Sequence, residues 1–187
     1  TLTGDFAFGI GYDSVEKEQI SIGLNEKNFL GKGLKTKFNI TTSAKSTKYD
    51  IGITEPYFRD KPLLLSGNIY DQLNERGDRD IEKTGINFAI GFDVNEYFNK
   101  FSYSFVESKT TTKSSSTASS VSGEEGTEVQ TSSLNYTFLN DTRDNYFNPK
   151  SGHKFLFDTS IAGVGGDAKF AQIQTKYKSY TPFSYGD

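Results

Sequence analysis

The sequence has no cysteine, no tryptophan and no methionine, and His153 is its only histidine. Without cysteine there is neither a disulfide framework nor a thiolate metal site, and one histidine makes a zinc site improbable. No window holds the roughly 18 consecutive apolar residues that a membrane-spanning helix requires. Residues 1–20 lack the basic-then-apolar order of a secretory leader, so an export signal is expected outside this chain. The 21 basic and 24 acidic side chains give a net charge of −3 with no basic patch, which argues against a nucleic-acid partner. Mean hydropathy is −0.59, a value in the soluble range. A barrel strand, however, turns only every second residue to lipid, so this average does not decide between a soluble and a membrane β protein.

What the chain does have is alternation. Phe6, Phe8, Ile10 and Tyr12 are interleaved with Asp5, Ala7, Gly9 and Gly11, and Ile20, Ile22 and Leu24 with Ser21 and Gly23. The same period of two recurs around Phe38 and Ile40, around Ile51 and Ile53, and from Leu63 to Gln72. It returns around Ile86 to Phe92, Phe101 to Phe105, Leu134 to Phe138, Phe155 and Phe157, and Ile173 to Tyr177. A large apolar side chain on one face and Gly, Ser, Asn or Lys on the other is the pattern of a strand between two different environments. The count is about ten strands of roughly eight to twelve residues, the length that crosses a bilayer at a tilt. The fold class expected is all-β, an antiparallel up-and-down transmembrane β-barrel. A soluble β-sandwich is the competing reading, but its strands are usually shorter.

The connectors alternate too. Every second one carries aromatics: Asn28-Phe29-Leu30-Gly31, Pro56-Tyr57-Phe58, Glu96-Tyr97-Phe98, Asn145-Tyr146-Phe147 and Pro182-Phe183-Ser184-Tyr185. In an up-and-down barrel these turns share one side of the membrane, where aromatics form an interfacial girdle. The intervening connectors are polar and are expected at residues 14–18, 43–46, 74–82, 108–127 and 163–167. Residues 108–127 are Ser/Thr-rich low complexity and read as a mobile external loop. Long loops outside and tight aromatic turns inside place the N-terminus on the periplasmic side.

No constellation supports catalysis, and the chain is expected not to be an enzyme and to need no cofactor or metal. His153 follows a glycine at a strand start and reads as a surface or lumen side chain. Gly31-Lys32-Gly33 has the wrong spacing for a phosphate loop and reads as a turn with glycine at positive φ. Arg76-Gly77-Asp78 is too short to imply adhesion, and Asp78 with Asp80 lacks a calcium ligand ladder. The stretch from Asp141 through Thr142, Arg143 and Asp144 to Pro149 and Gly152 reads as a rigid turn with internal ion pairs.

Three of these turns, in order, resemble the periplasmic turns of the BamA-type outer-membrane insertase barrel. They are Asn28-Phe29-Leu30-Gly31-Lys32-Gly33, Thr54-Glu55-Pro56-Tyr57-Phe58, and Asp141-Thr142-Arg143-Asp144 closing on Pro149 and Gly152. The opening Gly4 to Tyr12 resembles that barrel's first strand. The resemblance implies a bacterial outer-membrane protein that assembles other barrel proteins, with outer-membrane lipid, unfolded clients and assembly-complex lipoproteins as partners, the last through POTRA domains. Those domains, the later strands and the Arg-Gly-Phe loop are not in this sequence. Residues 1–187 are therefore expected to be a partial barrel domain, about ten of roughly sixteen strands. A barrel dedicated to autotransporter assembly or partner secretion, or a passive pore, remains an alternative.

The resemblance also implies a mechanism, in which client strands pair with the edge of the first strand: Gly4, Phe6, Phe8, Gly9, Ile10, Gly11 and Tyr12. Small lumen residues Ala7, Gly9 and Gly11 suit loose register there, or they merely make room in the lumen.

Overall fold

In a computed structural model that describes residues 3–14, 16–76, 79–112 and 126–183, the chain is one antiparallel sheet of ten strands in sequence order. The strands are β1 (Gly4–Asp13), β2 (Lys17–Phe29), β3 (Leu34–Ser43), β4 (Ser46–Glu55), β5 (Leu63–Arg76), β6 (Arg79–Val94), β7 (Tyr97–Thr112), β8 (Gly126–Asp141), β9 (Gly152–Gly166) and β10 (Phe170–Tyr180). Each pairs only with its sequence neighbours, so β1 and β10 each leave one edge unpaired within the sheet.

The alternation read in the sequence becomes two faces. One cross-strand row runs Phe6, Leu24, Phe38, Ile51, Ile69, Ile86 and Phe105. The next row toward the aromatic turns runs Gly4, Glu26, Thr36, Ile53, Gly67 and Phe88. Between them, on the opposite face, lie Asp5, Asn25, Lys37, Gly52, Asn68, Asn87 and Ser104. The polar face is cross-linked: Lys37 meets Asp50 at 2.6 Å, Asn68 donates to Asp50 at 3.1 Å, and Thr137 donates to Asp158 at 2.7 Å. The apolar face has nothing packed on it. Among the described residues Ala162 is the only buried hydrophobic side chain, while Phe6, Phe8, Ile10 and Tyr12 are all more than half exposed. A sheet with no core in either direction matches a bilayer on one side and a polar lumen on the other.

Several expected boundaries move. The strands have 10 to 16 residues, and β6, β7 and β8 have 16 each, longer than the eight to twelve expected. The extra length lies at the polar-connector ends. Lys17 and Glu18 belong to β2, and β5 and β6 together claim all of residues 74–82 except the undescribed 77–78. β7 extends through Thr112 and β8 begins at Gly126, so the expected loop at 108–127 gives its flanks to strands while 113–125 lie outside the described residues. β9 takes Gly163 to Gly166. Backbone pairing continues wherever the partner strand continues, and beyond the bilayer it needs no apolar face.

The aromatic turns hold their places with two adjustments, the first being that Asn28 and Phe29 close β2. Tyr97 and Phe98 open β7, and the turn itself is Asn95-Glu96, both at positive φ (48° and 71°), the geometry of a two-residue hairpin that follows the twist of the strands. Rings cluster near this rim: Phe101 meets Tyr136 at 4.8 Å and Tyr97 meets Phe138 at 5.5 Å, both tilted, and Phe138 meets Phe155 edge-on at 6.1 Å. Of the last aromatic group, Ser184 and Tyr185 lie outside the described residues, as do Gly77 and Asp78.

Candidate functional site

The free edge of β1 is built by simple register. The amide of Lys27 donates to the carbonyl of Thr3 at 3.2 Å, so these two form a hydrogen-bonded pair. Alternate residues along an antiparallel strand then point their backbone groups the same way. Asp5, Ala7, Gly9 and Gly11 therefore bond to β2, and Gly4, Phe6, Phe8, Ile10 and Tyr12 turn their N–H and C=O groups to the open side. Those same five project from the apolar face, as their shared row positions require.

On the polar face a Cβ added at Gly9 would lie 2.5 Å from the Ser21 hydroxyl oxygen, so glycine there lets the two strands approach. From Phe6 to Gly11 no side chain carries a polar group, and the middle of the strand is joined to β2 by backbone pairing and apolar contact alone. Its ends are fastened. At the turn side the Thr3 hydroxyl donates to the Glu26 carboxylate, and Lys27 meets Asp5 at 3.1 Å. At the loop side the Asp13 carboxylate accepts from the Glu16 amide at 3.0 Å, and Glu16 in turn accepts from the hydroxyls of Ser43 and Ser46 at 2.8 and 2.9 Å. These two hydroxyls hold the Glu16 carboxyl below its ordinary pKa, Ser43 contributing most. Nothing in the sequence signals this staple, which joins residues about 30 apart on two connectors.

The turn residues line the rim from which β1 starts, but they do not converge on it. Only the first turn touches it: the Asn28 amide donates to Glu26 at 2.7 Å, and the Asn28 side chain accepts from the Gly33 amide at 2.7 Å. Gly31 and Gly33 have φ of 71° and 70°, as a turn of this shape requires. Glu55 closes β4 opposite Leu65, and the turn beyond Pro56 folds back through Phe58–Asp60, where the Asp60 amide donates to the Tyr57 carbonyl at 3.1 Å.

The third turn is a lock. The Arg143 guanidinium donates through two nitrogens to both carboxylate oxygens of Asp141, each at 2.7 Å, and lies 5.3 Å from the Tyr146 ring. This forked pairing raises the guanidinium pKa further above its already high value. The Asp144 carboxylate accepts from the amides of Lys150 at 2.9 Å and Ser151 at 3.2 Å, and these bonds hold it below the usual carboxylate range. Pro149 lies just before this pair of amides, and Gly152 (φ 95°) begins β9. His153 is tied into the same turn: Thr142 pairs with it through its hydroxyl at 3.0 Å and its amide at 2.8 Å.

Against this geometry the profile of the Omp85 superfamily domain matches residues 28–187. The chain belongs to the Omp85 superfamily. A solved structure of BamA from Haemophilus ducreyi lacking POTRA domains 1–3 superimposes with a TM-score of 0.79 at 20% identity, covering 98% of this chain and 38% of that one. At that identity the likeness shows the fold, and the chain spans little more than a third of the BamA structure's length. The expected recognition and fold class hold, and this Omp85 chain is an outer-membrane β-barrel protein. The profile begins at Asn28, so β1 and most of β2 are aligned by the structural comparison and not by the family profile.

Proposed function

We propose that this Omp85 chain forms ten strands of the barrel of an assembly factor that inserts other β-barrel proteins into the outer membrane, with the free edge of β1 receiving the client strand. The turn-side rim faces the periplasm, where POTRA domains of the whole protein would meet unfolded clients and lipoprotein partners. The observation that carries the reading is the edge itself. Five N–H and five C=O groups, on Gly4, Phe6, Phe8, Ile10 and Tyr12, lie side by side at the margin of a lipid-facing sheet. Each would cost several kcal/mol if left unpaired in hydrocarbon, and an incoming strand satisfies all of them at once. The step is an exchange of hydrogen bonds and needs no nucleophile, metal or cofactor. A pore function gains no support from the polar face, where Lys37 and Asp50 are paired across strands.

Proline separates the two sides of β1. At Ile10 it removes an N–H that faces the open edge, which an edge strand tolerates, whereas at Gly9 it removes a bond to β2. In the full-length protein, Ile10→Pro is expected to fold, judged by heat-dependent gel mobility, and to slow client assembly into liposomes severalfold. Assembly at the wild-type rate by a folded Ile10→Pro protein refutes edge pairing at this strand.

A further inference from the structure

The ten strands sort their charges by sign. Every strand lysine and arginine except Lys109 is in register with the polar face, and every strand glutamate is in register with the other. Scattered along the sequence these cations make no patch, and only the alternation of the strands gathers them on one wall. The aspartates that share that wall are largely engaged: Asp50 by Lys37 at 2.6 Å, Asp141 by Arg143 at 2.7 Å and Asp158 by the Thr137 hydroxyl at 2.7 Å. Lys48, Lys83, Lys100, Lys176 and Lys178 have no ion pair with any described carboxylate. The lumen wall therefore carries a positive field that its own side chains leave unanswered.

These five ammonium groups do not form a ring. Lys48 and Lys83 flank Gln72 on one cross-strand row, about 10 Å apart. Lys100 lies eight residues nearer the turns than the row of Lys83, about 27 Å along the strands. Lys176 and Lys178 lie lower again and three strands further along the wall, about 14 Å to the side. One small anion cannot touch groups so far apart, whereas a chain laid obliquely down the wall meets them in turn. Around Lys100 the wall is recessed, in a cavity of about 370 Å³ lined also by the amides of Asn87, Asn135, Gln172 and Gln174. Side-chain amides both donate and accept, so they can satisfy the N–H and C=O groups of a peptide that has no partner strand.

We infer that the polar face binds an acidic polypeptide segment, seated at Lys100 in the amide-lined recess and running between the loop-side and turn-side lysines. The occupant is the client chain, and this part of the inference rests on the assembly function proposed above. A client strand added to β1 continues the same sheet, so the residues that flank it emerge beside the same wall. The glutamates of this chain's own strands cannot take the place, because they lie on the opposite face.

Charge reversal tests it. Lys100→Glu and Lys109→Glu change the net charge equally, but only Lys100 is on the lumen face. Full-length protein in nanodiscs is titrated with a short fluorescent peptide of alternating Glu and Ser, and with its Lys and Ser counterpart, and binding is read by anisotropy. The wild type is expected to bind the acidic probe and not the basic one. Folded Lys100→Glu protein should bind the acidic probe about tenfold more weakly, and Lys109→Glu protein as the wild type does. A photo-crosslinker at position 100 should capture the client during assembly into liposomes, and one at position 109 should not. No binding by the wild type, or equal weakening in both variants, overturns the site. Displacement of the probe by inorganic phosphate, at an ionic strength where chloride leaves it bound, overturns it too and assigns the wall to a small anion. Probe binding without client capture at position 100 overturns the client as occupant. Ile10→Pro protein should bind the probe as the wild type does, so failure of edge pairing and failure of this site are read apart.

Discussion

Replacing Gly152 with alanine separates conformational strain from steric conflict at the turn between β8 and β9. The residue sits at φ 95°, and a Cβ there would stand 2.2 Å from the Thr142 carbonyl oxygen, 2.8 Å from its carbon and 3.0 Å from Arg143 Cα. The positive φ alone costs roughly 1–2 kcal/mol for an L residue. The contact is with backbone and cannot be relieved by a rotamer, so the Thr142 strand end must move away. That movement loosens the 2.8 Å bond from the Thr142 amide to His153 and the 3.1 Å bond from the His153 amide to the Thr142 hydroxyl. At about 1 kcal/mol each, the total reaches roughly 3–4 kcal/mol. Gly31 is the control: its φ is 71°, but nothing lies within 4 Å of the added Cβ, so only the conformational cost of roughly 1–2 kcal/mol applies. Denaturant unfolding of both variants of the full-length protein in detergent should separate them by about 2 kcal/mol. Equal destabilisation would refute the claim that the Thr142 backbone, and not φ, dominates at Gly152.

Two further outcomes concern the fastenings. Glu16→Ala removes the acceptor shared by Ser43 and Ser46, and amide exchange at Lys45 and Ser46, both bonded to the Ser43 hydroxyl, should quicken severalfold without a change in global unfolding; unchanged exchange would show that the staple holds nothing. The Asp144 carboxyl has its folded-state pKa below the unfolded value, so its contribution is complete above about pH 4 and disappears as pH falls through the depressed value. Exchange at Lys150 and Ser151, corrected for intrinsic rate, should therefore rise below that point, and Asp144→Asn should abolish the dependence.

The strand number, the faces and the turn-side boundaries were legible because they rest on side-chain chemistry that alternates with a fixed period. Phe6 to Tyr12 or Ile86 to Phe92 admit one placement once a bilayer is assumed. The loop-side boundaries were not legible for the same reason. Arg79 to Glu82 and Ser108 to Thr112 continue their ladders where both faces meet water, so polarity reads as a connector although the backbone is still paired. At the site, the stretch Gly4 to Tyr12 could be singled out from its residues, but not which alternate half faces outward, since Gly9 and Gly11 turn to β2 and only the Thr3 to Lys27 bond fixes that phase. The clamp between Thr3 and Glu26 and the staple at Glu16 join residues 23 to 30 positions apart and have no local signature. In the third turn the Asp141 to Arg143 pair was readable, because partners two residues apart in a stiff turn have few other options.

The unequal strands give the described sheet a high flank and a low one. At about 3.4 Å per residue and a tilt near 40°, ten-residue strands such as β1, β3 and β4 rise roughly 26 Å, close to the ~25 Å apolar band, while the 16-residue β6, β7 and β8 rise roughly 41 Å. With the loop side outward, a parapet some 15 Å high therefore stands over one flank, and the flank that carries the free edge is nearly flush with the lipid. The unpaired edge of β1 thus belongs to the low flank, where little of the strand rises past the apolar band.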